Sequence, residues 1–336
     1  MKLASLRGMA FANNEIFNSK NPSNRDNCFE PYIFLRDEMK NAGIILNTCD
    51  LNDNSQVDLE IHHDIQDVSS SNIQYLLMLE SHLIAKKNGE SVNWGKYRKV
   101  FTWRDDLVDG RKFIKINIPN PILVPDVDGW GQRDRFCALI AGNKSLSFFD
   151  VRDLYTERVK TIRWFEKNAI DDFDLYGVDW DIPPPPVGRF RNVHRKFWRK
   201  VTSFVRLNPF PSYKGRVKNK RDVLLKTKYA ICYENVRDLP GYISEKIFDC
   251  FFSGCVPVYW GANNIVDHIP SDCFIDRRKF SNESDLYKHL KSLTEEQFVF
   301  YQNNIVTFLR SDAGRKFGAK FFAETIVNAI VQDLEC

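Results

Sequence analysis

The chain has 336 residues, of which 43% are hydrophobic and 27% charged, with 16 Gly and 14 Pro, a composition that excludes a disordered or fibrous protein. Its length exceeds the ~250–300 residues that one apolar core serves, so two domains are expected. Net charge is only +4, yet residues 188–228 hold fourteen Lys or Arg against one Asp, Asp222, and leave a mildly acidic remainder of 34 basic and 43 acidic residues. Such a segment draws phosphates, nucleic acid or an anionic membrane, and a solvated face is the plain alternative.

No apolar run approaches the ~20 residues that cross a bilayer, and the start "MKLASLRGMAFANNEIF" lacks the apolar centre and cleavage pattern of a signal peptide. A soluble, cytoplasmic chain is the expectation, with peripheral contact to an anionic membrane as a further expectation for the basic segment. Eight cysteines (Cys28, Cys49, Cys137, Cys232, Cys250, Cys255, Cys273, Cys336) include no C-x-x-C pair, which favours a reducing compartment and argues against a zinc site. His62 and His63 are neighbours, but adjacent strand residues point to opposite faces and do not share a metal.

In chain order, "CFEPYIFLRDEMKNAGIILNT" reads as a helix ended by Gly43 and followed by a short buried strand. The apolar runs "IQYLLMLES" (73–81) and "KVFTWRDDL" (99–107) each end on charge, as strands of a covered parallel sheet do at their carboxyl ends. Between Ile116 and Arg135, three prolines and two glycines without helical period read as a linker. The second half alternates strand "FCALIAGN", helix "DLYTERVKTIRWFEKN" with its stripe Leu154, Val159, Ile162 and Phe165, the stretch "DLYGVDWD", the proline run 183–186, the basic segment, helix "RDVLLKTK", and strands "YAICYE" and "VPVYW". That alternation predicts a second parallel-sheet domain. Aromatics at helical spacing in the basic segment, Phe190, Phe197, Trp198 and Phe204, are expected to be core, with a nucleic-acid stacking surface as the competing reading. The tail carries Phe317, Phe321, Ile326 and Ile330 and predicts a terminal helix packed on the body, with a membrane-binding helix as the alternative.

The densest chemistry lies in "YENVRDLPGYISEKIFDCFFSGCVPVYWG" (233–261). A helix from about Ile243 to Phe252 would turn Ile243, Ile247 and Phe251 inward, stop at Gly254 and place Glu245 and Lys246 in its first turn. Adjacent helical residues diverge by about 100°, so this acid and base are expected not to neutralise each other. Lys246 would meet a diphosphate and Glu245 would accept hydrogen bonds from sugar hydroxyls, with an ordinary surface pair on a helix as the alternative.

The run "YAICYENVRDLPGYISEKIFDCFFSGCVPVYWGANNIVDHIPSDCFI" resembles the donor-binding motif of the α-1,3/1,4-fucosyltransferases, glycosyltransferase family 10: Glu-Asn, then Tyr-x-x-Glu-Lys, then Pro-[Val/Ile]-x-x-Gly. The resemblance implies an α/β GT-B glycosyltransferase fold, two Rossmann-like domains facing across a cleft. Residues 1–130 would bind the acceptor, residues 131–310 would bind the GDP-sugar donor, and residues 311–336 would be the terminal helix. It implies inverting transfer of L-fucose from GDP-fucose to an N-acetylglucosamine or glucose hydroxyl of a glycan, with no cofactor and no metal required. By position, Lys246 and Arg158 would neutralise the diphosphate, Tyr242 would sit beside it, Asn235 would shape the pocket, and Glu245 would contact ribose or the charge developing on fucose. The family's base is a first-domain carboxylate, and Glu80, at the end of "YLLML", is the candidate, with Glu90, Asp105 and Asp106 as competitors. The loop "VRDLPG" is longer than in bacterial members. Three Asp-x-Asp triplets, at 126–128, 172–174 and 179–181, keep a metal-dependent transferase open as the alternative, and a nucleic-acid-binding protein remains the second.

Overall fold

The protein is described by a computed structural model over residues 1–67, 72–205 and 207–335, so Cys336 and Arg206 lie outside the described residues. The chain forms two compact units: Met1–Ile122 with Pro240–Tyr242 and Asp312–Cys336, and Leu123–Leu239 with Ile243–Ser311. Residues 123–130, expected with the first domain, belong to the second. The backbone amides of Gly129 and Trp130 donate to the side chains of Gln302 (2.9 Å) and Glu295 (2.8 Å), and Asp128 pairs with Arg133 at 3.0 Å.

The first unit holds β1 (Lys2–Arg7), α1 (Glu30–Asn41), β2 (Ile44–Thr48), β3 (Leu59–His63), β4 (Ile73–Met78), β5 (Lys99–Thr102) and β6 (Phe113–Lys115). Its strands form an all-parallel sheet in the order β2-β1-β3-β4-β5-β6. Leu6, Ile61, Tyr75, Leu77 and Phe101 fill one core, closed by Phe322, Ile326 and Ile330 of the terminal helix. The sequence reading passes over β1 and β3 because polar residues interrupt them. In β3, Glu60 and His62 are fully buried and belong to one chain of partners: Arg7 to Glu60 at 2.9 Å, Glu60 to His62 at 2.8 Å, His62 to the Tyr97 hydroxyl at 3.1 Å. His63 lies on the opposite face against the Tyr32 hydroxyl at 2.7 Å.

The second unit holds β7 (Arg135–Ile140), α2 (Tyr155–Asn168), β8 (Phe173–Tyr176), α3 (Arg191–Thr202), β9 (Tyr213–Gly215), α4 (Lys220–Leu224), β10 (Thr227–Tyr233), α5 (Glu245–Phe251), β11 (Val256–Trp260), β12 (Ile275–Asp276), α6 (Glu283–Ser292) and α7 (Glu295–Arg310). Then α8 (Asp312–Arg315) and α9 (Ala319–Glu335) return to the first unit. The second sheet is again all parallel, in the order β12-β11-β10-β7-β8-β9. This is a doubly wound, Rossmann-like arrangement whose strand order reverses between β7 and β10, and ligands of such sheets bind outside the strand ends at that reversal.

Three expectations change. The terminal helix packs through Phe322, with Phe321 only partly buried, and its apolar side is spent on the first unit's core. The aromatics of the basic segment are not core: Phe190, Phe197 and Phe204 are 62%, 59% and 81% exposed. Four of the six Asp-x-Asp carboxylates are held by cations of the fold: Asp128 by Arg133, Asp172 by Lys291, Asp174 by Arg135, and Asp179 by Arg195 and Arg199.

Candidate functional site

A cavity of about 260 Å³ opens at the β7/β10 reversal, lined by residues of the second unit alone. Its floor comes from the end of β7 (Ile140 to Gly142) and from β10, which delivers Tyr233 and, one turn beyond, Asn235. Four cations line it, Lys144, Arg158, Lys220 and Lys246, against two carboxylates, Glu245 and Asp249. The excess of positive charge suits a polyanion.

Arg158 sits in the buried stripe of α2, where an apolar residue would be expected from period alone, and is 3% exposed. Its guanidinium donates to the carbonyls of Tyr233 (2.6 Å) and Glu234 (2.7 Å) and to Asn235 Oδ1 (3.2 Å), and it stacks over the Tyr155 ring. One cation therefore fixes the exit of β10 and the orientation of Asn235.

The helix carrying Glu245 and Lys246 is shorter than the sequence suggests. It starts at Glu245 because Ser244 is its N-cap, accepting from the Lys246 amide at 3.4 Å. With only seven residues, α5 itself offers little dipole, and the side chains carry the charge. Behind them lies a residue the sequence reading quoted without assigning a role. Glu234 is fully buried and accepts from the Ser244 amide (2.8 Å), the Ser244 hydroxyl (2.7 Å) and Lys246 Nζ (3.2 Å). Lys246 Nζ also donates to Ser244 Oγ at 3.0 Å and stands 3.5 Å from Glu245 Oε1. The expectation that Glu245 and Lys246 keep apart is thus corrected: the long lysine side chain folds back over the first turn to both acids despite the angle between the Cβ positions.

The Glu245 side chain is 49% exposed, and against partial desolvation the ammonium groups of Lys246 and Lys220, its own amide and the Ser244 hydroxyl hold its carboxyl down at about 2. Burial alone would lower Lys246, yet Glu234 and Glu245 outweigh that and the opposing Arg158 charge, and its pKa is raised. Both groups are ionised at neutral pH. Gly261 closes the arrangement: a Cβ there would stand 2.3 Å from the Tyr259 hydroxyl and 2.5 Å from Glu234 Cγ.

The cavity brings together Arg158, Asn235, Glu245 and Lys246, and adds Lys144, Lys220 and Asp249. Tyr242 is not among its lining residues. Gly241, at φ +81° and with room for no Cβ against the Trp103 carbonyl at 2.2 Å, turns the chain so that the Tyr242 ring packs on Trp103 in the first unit, centroids 4.8 Å apart. Glu80 lies in the first unit just past β4, on a loop pinned by Asp64, whose Oδ1 accepts from the amides of Leu79 and Glu80, both at 3.0 Å. Its own carboxylate accepts from the Ser81 amide at 2.8 Å. Among its competitors, Asp105 pairs with Lys115 (2.5 Å) and Asp106 with Arg104 (2.6 Å), while Glu90 accepts from Asn93 at 2.9 Å.

Residues 195–303, which contain Glu234, Ser244, Lys246 and Gly261, match the family described as glycosyltransferase family 10 (fucosyltransferase), C-terminal. An α-(1,3)-fucosyltransferase of Helicobacter pylori is 34% identical over 95 residues, 27% of this chain and 20% of that protein. An α-(1,4)-fucosyltransferase of Arabidopsis thaliana is 33% identical over 73 residues, 22% of this chain and 18% of that protein. The matched stretches thus span about a fifth of these two relatives. Over the whole chain the fold is that of GT-B glycosyltransferases. An α1,3-fucosyltransferase crystallised with GDP superposes with a TM-score of 0.54 at 15% identity, covering 98% of this chain and 90% of that one. Anabaena HepE, crystallised with UDP and glucose, superposes at 0.57 and 9% identity, covering 99% and 100%.

Proposed function

We propose that the protein is an inverting α-1,3-fucosyltransferase that moves L-fucose from GDP-fucose to a hydroxyl of an N-acetylglucosamine or glucose unit of a glycan, without a metal. The observation that carries this reading is the cation-rich cavity at the β7/β10 reversal, built around Lys246 within the family 10 stretch. Fixed cations aimed at a departing diphosphate stabilise the charge that develops as the sugar–oxygen bond breaks. Lys246 and Arg158 take that role, supported by Lys144. The Asp249 carboxylate offers an acceptor for the N–H edge of guanine, and the Lys220 ammonium, 2.7 Å away, a donor for its carbonyl oxygen. Glu245, held ionised, faces the ribose hydroxyls or the positive charge on fucose. In the first unit Glu80 accepts the proton from the acceptor hydroxyl as that oxygen attacks the anomeric carbon, and the diphosphate leaves with the bonding electrons.

The test is calorimetry with GDP, GDP-fucose, GDP-mannose and UDP in the presence of a chelator. GDP and GDP-fucose should bind and transfer should persist. Tighter binding of UDP than of GDP rejects the donor assignment, and loss of transfer with the chelator rejects the metal-free step.

A further inference from the structure

Helix α3, which connects β8 to β9, is mounted inside out. A crossover helix of a parallel sheet ordinarily turns its apolar side to the sheet, yet none of the twelve residues Arg191–Thr202 is buried. What ties it to the body is its charged side: Arg191 donates to the Ser145 carbonyl at 2.9 Å, and Arg195 and Arg199 both pair with the buried Asp179. These three arginines recur at i, i+4 and i+8, on one face. At 100° per residue, Phe190, Val193, Phe197, Val201 and Phe204 fall on the opposite face. The helical path continues far enough to include the last of them, since the amides of Phe204 and Val205 both donate to the Val201 carbonyl at 3.0 Å. Phe190, Val193, Phe197 and Phe204 are 59–81% exposed.

Arg189, Lys196 and Lys200 run along one flank of that stripe, and residues 188–221 contain no Asp or Glu. An apolar aromatic stripe edged on one flank by cations and on neither by an acid is complementary to one kind of surface, apolar below and anionic above. We propose that α3 is a membrane-docking helix that lies in the interface of an anionic bilayer, its phenylalanines among the acyl chains and Arg189, Lys196 and Lys200 at the headgroups. The proposal does not depend on the reaction assigned to the cavity, because no residue of α3 lines it.

The test is sedimentation of the full chain with vesicles of phosphatidylcholine alone and of phosphatidylcholine mixed with phosphatidylglycerol. The protein should sediment with the mixed vesicles and not with the neutral ones. Phe190→Ser, Phe197→Ser and Phe204→Ser together should abolish this at any salt concentration. Arg189→Glu, Lys196→Glu and Lys200→Glu together should weaken it by about a hundredfold at low salt, about fivefold for each basic side chain near an anionic surface. Hydrogen exchange of the unaltered protein, which needs no variant to fold, should show protection gained over residues 189–205 when mixed vesicles are added. The idea is overturned by failure to sediment with mixed vesicles, by equal sedimentation with both, or by protection confined to other segments. It is equally overturned if the triple serine variant still sediments, or if the face serves instead to pair two copies of the chain, seen as a dimer that this variant dissociates without vesicles.

Discussion

Replacing Lys246 separates what this residue does for the fold from what it does for the ligand. In Lys246→Met the ammonium 3.2 Å from Glu234 disappears and leaves a fully buried carboxylate with only Ser244 to bond. Stranding one member of a buried ion pair costs about 3–5 kcal/mol, and two surviving hydrogen bonds soften that, so a loss of about 2–4 kcal/mol in unfolding free energy is expected. Independently, the lost charge-assisted bond to phosphate, about 1.5–3 kcal/mol, should weaken GDP binding roughly ten- to a hundredfold. Adding Glu234→Gln to Lys246→Met removes the stranded charge while keeping a shape that Ser244 can bond. Urea unfolding should show most of the stability restored, and calorimetry should show GDP binding as weak as in the single variant. If GDP affinity returns with stability, Lys246 acts only as a structural partner of Glu234, and the diphosphate role fails.

The other predictions concern the two glutamates and the histidines of β3. Glu80→Gln should leave GDP binding intact and slow transfer about 10²–10⁴-fold in a fixed-time assay, whereas Glu245→Gln should weaken donor binding; full transfer activity in Glu80→Gln would move the base to another residue. Burial lowers the ring pKa of His62 in spite of Glu60, and lowers that of His63 in spite of Asp64, so the unfolded chain takes up protons first as pH falls. Stability should therefore be complete above pH ~6.5 and decline below it, by up to about 1.4 kcal/mol per pH unit for each histidine. Urea midpoints that stay constant down to about pH 5.5 would show that these rings are not held neutral by the fold.

Fold class was legible because the strands that bury both faces are nearly unbroken apolar runs: Ile73–Met78, Thr227–Tyr233 and Val256–Trp260 stand out from the surrounding charge. What escaped were the strands whose burial is polar. Lys2–Arg7 and Leu59–His63 hold central positions in the first sheet, but Ser5, Glu60 and His62 are buried through partners up to tens of residues away, and no local pattern announces them. For α3 the periodicity was visible and its direction was not. Which face of an amphipathic helix turns inward is decided here by Asp179, buried and two-armed toward Arg195 and Arg199, sixteen and twenty residues from it in sequence. Tyr242 illustrates the same limit at short range, since the turn at Gly241 decides where the ring goes.

The candidate site was legible through a motif, and the structure supplies a physical reason for the motif's spacing. Its three separated parts meet on one carboxylate. Glu234 closes β10, the Ser244 and Lys246 pair arrives from the start of α5, and Gly261 ends β11 with just enough room for the Glu234 side chain. Strands β10 and β11 are paired in parallel, with Tyr233 opposite Trp260, so an acid following one and a glycine following the other necessarily stand side by side. Helix α5, which joins these strands, must begin beside the same point. Much of the motif therefore serves to hold a buried acid that positions Lys246, rather than to touch a ligand directly. A side chain larger than glycine at position 261 would press on the Tyr259 hydroxyl and on Glu234 and reach the cavity only through Lys246, which makes the glycine a positioning residue for a cation it does not contact.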